Sequence, residues 1–322
     1  MSNMQTQPLG VSDLNVSRIG YGAMSIGGSW DDSPLTDSVR KSALQVLRTA
    51  LDAGINFFDH ADIYCNGKSE QVFAGLWKDT PHLRQQIYLQ TKCGIRSAPP
   101  HRFDFSYAHI VTSAEESLKR LQTDYLDVLL LHRPDPLVEP EEVARAFDEL
   151  KSSGKVHWFG VSNHTAAQME LLRKYLNQPI IANQVEFNLI HTHMLDEGIL
   201  FNQNNPRLAR NEGVIEYCRL HNITLQAWAP LAAGKLTGRP SPNDGAYIQK
   251  TADLVAQMAT EKGVHPEAIL IAWILRHPAK IQPLPGTTDP QRILAACDAE
   301  SINLTREEWY SLFLAGRGEA LP

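Results

Sequence analysis

Four side chains in the first half of the chain have the chemistry of a proton-transfer site: Asp59, Tyr64, Lys92 and His132. A tyrosine titrates near ~10, too high for an efficient proton relay near neutrality. A lysine ammonium beside it stabilises the phenolate and is expected to lower that value. Asp59 would hold Lys92 charged and oriented, and His132 would polarise a carbonyl or assist the proton transfer. Such a group protonates an alkoxide forming from a carbonyl, while the electrons come from a separate hydride donor. Each residue alone has a plainer reading. A strand-end aspartate commonly serves a turn, a lone lysine is usually at the surface, Tyr64 is a packed loop aromatic, and His132 opens a turn with Arg133-Pro134-Asp135. Their joint placement is what makes them a site.

That placement depends on the elements around them. Short apolar runs alternate with amphipathic segments along most of the sequence. The expected strands are residues 18–23, 55–59, 87–92, 125–132, 157–161, 181–186, 224–228 and 281–285. Runs such as VLLL, IYLQT and WFGV have the near-continuous apolar character of strands covered on both faces. Helical patterns lie between them at 39–53, 110–121, 140–151, 165–175, 211–221, 266–276 and 289–299. Gly54 and Gly154 mark helix ends, Pro140 a helix start and Thr165 an N-cap. Strands alternating with helices predict an α/β fold, a single (β/α)8 TIM barrel over residues 1–322, with a C-terminal helical extension. Reactive groups of such barrels gather at the C-terminal strand ends. Asp59, Lys92 and His132 close strands two, three and four, so they meet Tyr64 at one mouth.

Three stretches break the regularity. Residues 188–210 form a long segment without strong period, expected to be an active-site loop. Residues 231–247 are rich in Gly, Pro and small side chains, and the tail from Thr305 onward packs across the barrel or over the site.

Composition narrows the setting. The 322 residues are 43% hydrophobic and 20% charged, enough for a large core without staples. Thirty Lys and Arg against 36 Asp and Glu give a net charge of −6, which gives no global pull toward nucleic acid or an anionic membrane. Cys65, Cys93, Cys218 and Cys297 form no CxxC pair, so a reducing compartment is expected and neither a disulfide framework nor a zinc knuckle is. The N-terminus lacks a signal-peptide core and no run approaches the ~18 apolar residues of a membrane span, so the expected location is cytoplasmic.

With these motifs in place, the sequence resembles the aldo-keto reductases from about residue 18 to about residue 296. FFDHADIY…SE, LQTKCG, DVLLLHRPD, FGVSN, ANQVEFN, LQAWAPLAAGKL and LPGTT…RI follow one another in family order. His60 stands where the family commonly has a small or hydroxyl residue. The resemblance implies that Tyr64 is the general acid, supported by Asp59, Lys92 and His132, and that NADPH (NADP+) supplies hydride, with NADH less favoured. It puts nicotinamide against Trp228, its carboxamide on Ser162, Asn163 and Gln184, and Gly22, Ala23 and Met24 along the cleft. Pro230, Leu231, Ala233, Gly234 and Leu236 then pass the pyrophosphate, where small residues let backbone N–H groups approach phosphate oxygens. Gly286, Thr287, Thr288, Gln291 and Arg292 match the adenosine end, and the Arg292 guanidinium suits a 2′-phosphate. The family's Glu-Asn pair after that arginine is replaced by Ala295-Ala296.

Trp30, Tyr64 and His132 are the expected substrate-binding residues, and an aromatic-lined mouth favours a small-molecule carbonyl substrate with an apolar body. Competing readings are weaker. His191 and His193 make an HxH without further ligands, so no metal site is expected. GYGAMS lacks the third glycine and helix of a dinucleotide fingerprint. A Schiff-base aldolase on Lys92 leaves Tyr64 and GVSN unexplained. A cofactor-binding regulatory barrel with little turnover is the runner-up.

Overall fold

The computed structural model describes residues 4–200, 213–239, 241 and 244–322. The chain opens with an antiparallel hairpin, β1 (Thr6–Pro8) and β2 (Asn15–Ser17). Eight strands then form one parallel sheet: β3 (Tyr21–Gly22), β4 (Phe57–Asp59), β5 (Tyr88–Cys93), β8 (Leu126–Leu131), β9 (Val156–Ser162), β10 (Ile180–Glu186), β11 (Thr224–Trp228) and β12 (Gln282–Pro283). A two-stranded ribbon, β6 (Ile95–Arg96) and β7 (Arg102–Phe103), projects after β5. The sheet closes on itself: Gly20 N–H donates to Pro283 O and Gly22 N–H to Pro285 O, both at 3.0 Å. The architecture is a (β/α)8 barrel.

Helices follow the strands for local reasons. In α1 (Asp37–Asp52) Thr36 caps the N-terminus by accepting from Val39 N–H, and Ala43, Val46, Leu47 and Ala50 form the buried stripe. Short α2 (Lys68–Phe73) and α3 (Leu76–Asp79) follow β4. Next come α4 (Tyr107–Leu121), capped by Ser106, α5 (Pro140–Ser152), with proline in its first turn, and α6 (Ala166–Arg173), with a Thr165–Gln168 capping box. The second half carries α7 (His193–Leu200), α8 (Val214–Leu220), α9 (Ala246–Lys262), α10 (Pro266–Leu275) and α11 (Pro290–Cys297).

Two expectations change here. The aperiodic stretch from 188 contains α7, while 201–212, including the start of the helix expected at 211–221, lies outside the described residues. Helix α9 was not expected at all. The C-terminal extension is α12 (Arg306–Arg317), which docks by a Trp273–Trp309 stack at 5.2 Å and Trp309 Nε1–H donating to Trp273 O. Gly316 lies so close to Leu189 O that an added Cβ would sit 1.8 Å from it.

The barrel interior is apolar at its N-terminal end and polar toward the mouth. The hairpin plugs the lower end, where Leu9, Leu14 and Val16 pack with Phe57, Val128, Leu130, Ile181 and Leu284. Inside lies a row of glutamines from four strands. Gln90 Nε2 donates to Gln226 Oε1 at 2.9 Å, Gln226 Nε2 to Gln282 Oε1 at 2.9 Å, and Gln282 Nε2 to Ser17 O at 2.8 Å. Buried amides need such partners, and this chain ties the mouth to the plug.

Candidate active site

The row of amides ends on Asp59. Its Oδ1 accepts from Gln90 Nε2 at 2.7 Å and Gln184 Nε2 at 3.0 Å, and its Oδ2 accepts from Lys92 Nζ at 2.8 Å. Lys92 is fully buried and also donates to His60 O at 2.7 Å and to the Tyr64 hydroxyl at 2.9 Å. All three ammonium protons are thus directed, one of them at the phenol. Burial disfavours the Lys92 charge, but Asp59 and Tyr64 more than offset it and raise its pKa. Tyr64 departs from the sequence expectation. Burial outweighs the opposing pull of Lys92, so its pKa is raised and the phenol stays protonated in the free protein.

His132 follows β8 and meets Tyr64 edge-on, with ring centroids 6.1 Å apart. Burial, then Lys92 and Arg133, hold its pKa well below the usual imidazole value. It is therefore neutral near pH 7, able to donate one N–H, while its Nδ1 is buried without a partner. Trp30, half exposed, also stands edge-on to Tyr64, at 6.3 Å. Its loop is fastened to the Tyr64 loop: Lys68 Nζ donates to Asp31 O and Ser33 O, and Asn66 Nδ2 to Trp30 O.

The second half of the mouth joins the first through Asn163. Trp228 Nε1–H donates to Asn163 Oδ1 at 3.0 Å, and Asn163 Nδ2 donates to His132 O at 3.1 Å and to Ser162 Oγ at 2.8 Å. Ser162 Oγ–H in turn donates to Gln184 O. Ser162, Asn163, Gln184 and Trp228 are therefore one contiguous, pre-oriented set. Across the barrel seam, Gly22 and Gly286 face each other, and a Cβ on Gly286 would lie 2.9 Å from Gly22 O. Ala23 N–H donates to Asp59 O, and Met24 O accepts from Cys65 Sγ and Ser69 Oγ, so this edge is rigid too.

After β11, Ala232, Ala233 and Gly234 follow one another with φ of 49°, 54° and 84°. Ala232 N–H and Gly234 N–H are taken up inside this tight turn by Ala229 O and Leu231 O, and the small side chains leave room for a ligand to approach the backbone. Leu231 and Leu236 are buried beneath this turn, which follows Pro230. At the far end, Thr287 O accepts from Tyr21 OH, and Gln291 N–H and the exposed Thr288 flank Asp289, the N-cap of α11. Arg292 is held by Glu267 and Thr237 rather than standing open. The donors, the indole face and the small-residue turn fit a nicotinamide dinucleotide.

A cavity of about 640 Å³ opens beside Trp228 and Asn163, walled by Arg133, Glu186, Thr192, His193 and Arg317 among others. Tyr64 and His132 are not among its walls; Arg133, next to His132 and with its guanidinium 5.5 Å from the Trp228 ring centre, links the two. Charged and hydroxyl groups share its wall with Val185, Ile190, Met194 and Val214, and it is separate from the aromatic mouth expected from the sequence, Trp30, Tyr64 and His132. Arg133, Glu186 and the interior glutamines Gln90, Gln226 and Gln282 escaped the sequence reading, which named only Gln184. The signal for the glutamines was an inward-facing Gln at matching heights of β5, β10, β11 and β12. Among the described residues, no group of three or more His, Cys, Asp or Glu side chains could hold a metal, and no helix is long and apolar enough to cross a membrane.

Comparison with known proteins gives the family. The Aldo/keto reductase family profile matches residues 18–312. The chain is 36% identical over 321 residues to a 6-dehydroglucose reductase of Agrobacterium fabrum, covering 97% of this chain and 99% of that one. It is 35% identical to the uncharacterized oxidoreductase YcsN of Bacillus subtilis, covering 96% and 97%. The crystal structure of the thermostable aldo-keto reductase Tm1743 superposes with a TM-score of 0.77 at 26% identity, covering 97% of this chain and all of that one. The chain belongs to the aldo-keto reductase family of oxidoreductases.

Proposed function

We propose that the protein reduces an aldehyde or ketone to the alcohol with NADPH, Tyr64 acting as general acid. The observation that carries this reading is the buried relay Asp59–Lys92–Tyr64, with contacts of 2.8 and 2.9 Å. When bound, the nicotinamide cofactor supplies the hydride. Tyr64 gives its proton to the carbonyl oxygen as that oxygen gains charge, and Lys92, already within hydrogen-bond distance, stabilises the phenolate left behind. Asp59 keeps Lys92 charged through that change. Neutral His132 orients the carbonyl oxygen by donating from its ring. Trp228, Asn163, Ser162 and Gln184 hold the nicotinamide, and Trp30 limits the approach to Tyr64.

The lining of the cavity favours a substrate with a hydroxylated or otherwise polar body, and the naming of two relatives, at 36% and 32% identity, as 6-dehydroglucose reductases supports a sugar-like carbonyl. The test is oxidation of NADPH and NADH with sugar aldehydes, dicarbonyls and aromatic aldehydes. Tyr64→Phe should abolish turnover while NADPH still binds. A variant that keeps most of its rate would remove Tyr64 as the acid. Tight cofactor binding without turnover of any carbonyl would instead favour a regulatory barrel.

A further inference from the structure

The adenosine end of the cleft contains a charge pair that neither the relay nor the family resemblance accounts for. Arg292, on α11, donates from Nε to Glu267 Oε1 at 2.8 Å and from an Nη to Thr237 Oγ1 at 2.7 Å. The pair is largely withdrawn from water, with side-chain exposures of 15% for Arg292 and 10% for Glu267. Glu267 sits in the first turn of α10, where the helix N-terminus favours an anion. Its position is thus fixed independently of any ligand. Of the other cations nearby, one is paired and one lies open to solvent. Lys235 is paired with Asp244 at 2.5 Å, Asp289 caps α11, and Arg239 is exposed on the loop over Gly234.

A guanidinium recognises a 2′-phosphate through paired N–H donors and an uncompensated positive charge. Here one edge and the charge are already engaged by Glu267. Resting on the cofactor cleft proposed above, we infer that Glu267 sets cofactor selectivity, weakening the attraction for the 2′-phosphate so that NADH is accepted beside NADPH. Glu267 touches Arg292 and acts through it, as a positioning residue.

The test is titration calorimetry with two cofactor fragments, 2′,5′-ADP and ADP, which differ by the 2′-phosphate and need no turnover. Wild type should favour 2′,5′-ADP by less than about tenfold. Glu267→Gln keeps an oxygen for Arg292 while removing the charge, and should tighten 2′,5′-ADP by roughly fivefold with ADP unchanged. In an Arg292→Ala background the same substitution should have no effect. Glu267→Ala, checked for folding by its melting temperature, should act in the same direction. Equal shifts for both fragments, no shift, or an effect that survives Arg292→Ala would overturn the inference while leaving the cleft intact. A wild type that binds neither fragment would overturn the cleft and this inference together.

Discussion

Replacing Asp59 by Asn removes one charge from a pair that water does not reach. Lys92 is fully buried, and among the described residues its only carboxylate contact is Asp59 Oδ2 at 2.8 Å. The asparagine cannot substitute quietly. With Oδ1 kept on Gln90 and Gln184, its NH2 confronts the Lys92 ammonium; flipped, the NH2 confronts the two glutamine amides. An unpaired lysine in such a position has its pKa depressed by up to ~3–5 units. At about 1.4 kcal/mol per unit, a depression of ~3 units costs about 4 kcal/mol at pH 7, in line with the ~3–5 kcal/mol lost when one partner of a buried pair is removed. The pH dependence also inverts. In the wild type the Lys92 pKa is raised, so its contribution is complete below the unfolded value of ~10.4 and is lost as pH rises through the folded pKa. In Asp59→Asn the folded pKa falls below ~10.4, so the deficit is largest near neutrality and shrinks as pH climbs toward ~10. Urea unfolding of both proteins at steps from pH 6 to pH 10 measures this. Parallel curves with a constant gap, or no gap, would refute the reasoning.

Three further outcomes follow from other positions. Burial and then Glu70 raise the Asp62 carboxyl to about 7, so the folded state holds a proton that the unfolded chain has released and stability falls as pH rises from ~4 to ~7; Asp62→Asn should gain about 1–3 kcal/mol at pH 8 in urea titration. His60, with both ring nitrogens buried and unpartnered, is held down to about 3, and His164 and His277 to about 4. The unfolded chain takes up those protons first as pH falls below ~6.5, so stability drops by up to about 1.4 kcal/mol per pH unit per histidine, and His60→Leu should flatten the acid limb. Gly10 has φ of +58° and an added Cβ would lie 2.3 Å from Ile181 O, so Gly10→Ala should lower stability measurably, by about 2–3 kcal/mol in thermal or urea unfolding.

The eight barrel strands were readable because their apolar runs are unbroken and their boundaries carry glycine or proline, and Asp59, Lys92 and His132 were readable because they close such runs. What escaped did so for physical reasons. The buried face of α9 includes Thr251 and Ala259 beside Ile248, Val255 and Met258, which dilutes the helical period, and its N-cap, Gly245, offers no side chain. Helix α7 carries Gly198 and acidic residues that read as loop. The ladder of β12 is short because Pro283 has no N–H to donate. Sequence spacing correctly suggested that Lys92 would oppose the high tyrosine pKa, yet the sign of the total was set by burial, which no local motif reveals.

Barrel closure also dictates when the cleft exists. Strand β3 is among the first made, yet its second neighbour is β12, and the plug hairpin waits on Gln282 and on Lys280, whose carbonyl accepts from Gln7. These are contacts of extreme sequence separation, the slow kind to form. On the ribosome the proton relay of β4, β5 and β8 can assemble early, while the shelf of Trp228 and the arginine of α11 arrive last. A nascent chain therefore carries an exposed seam until synthesis is nearly complete, and it is in that interval that chaperones have a surface to hold.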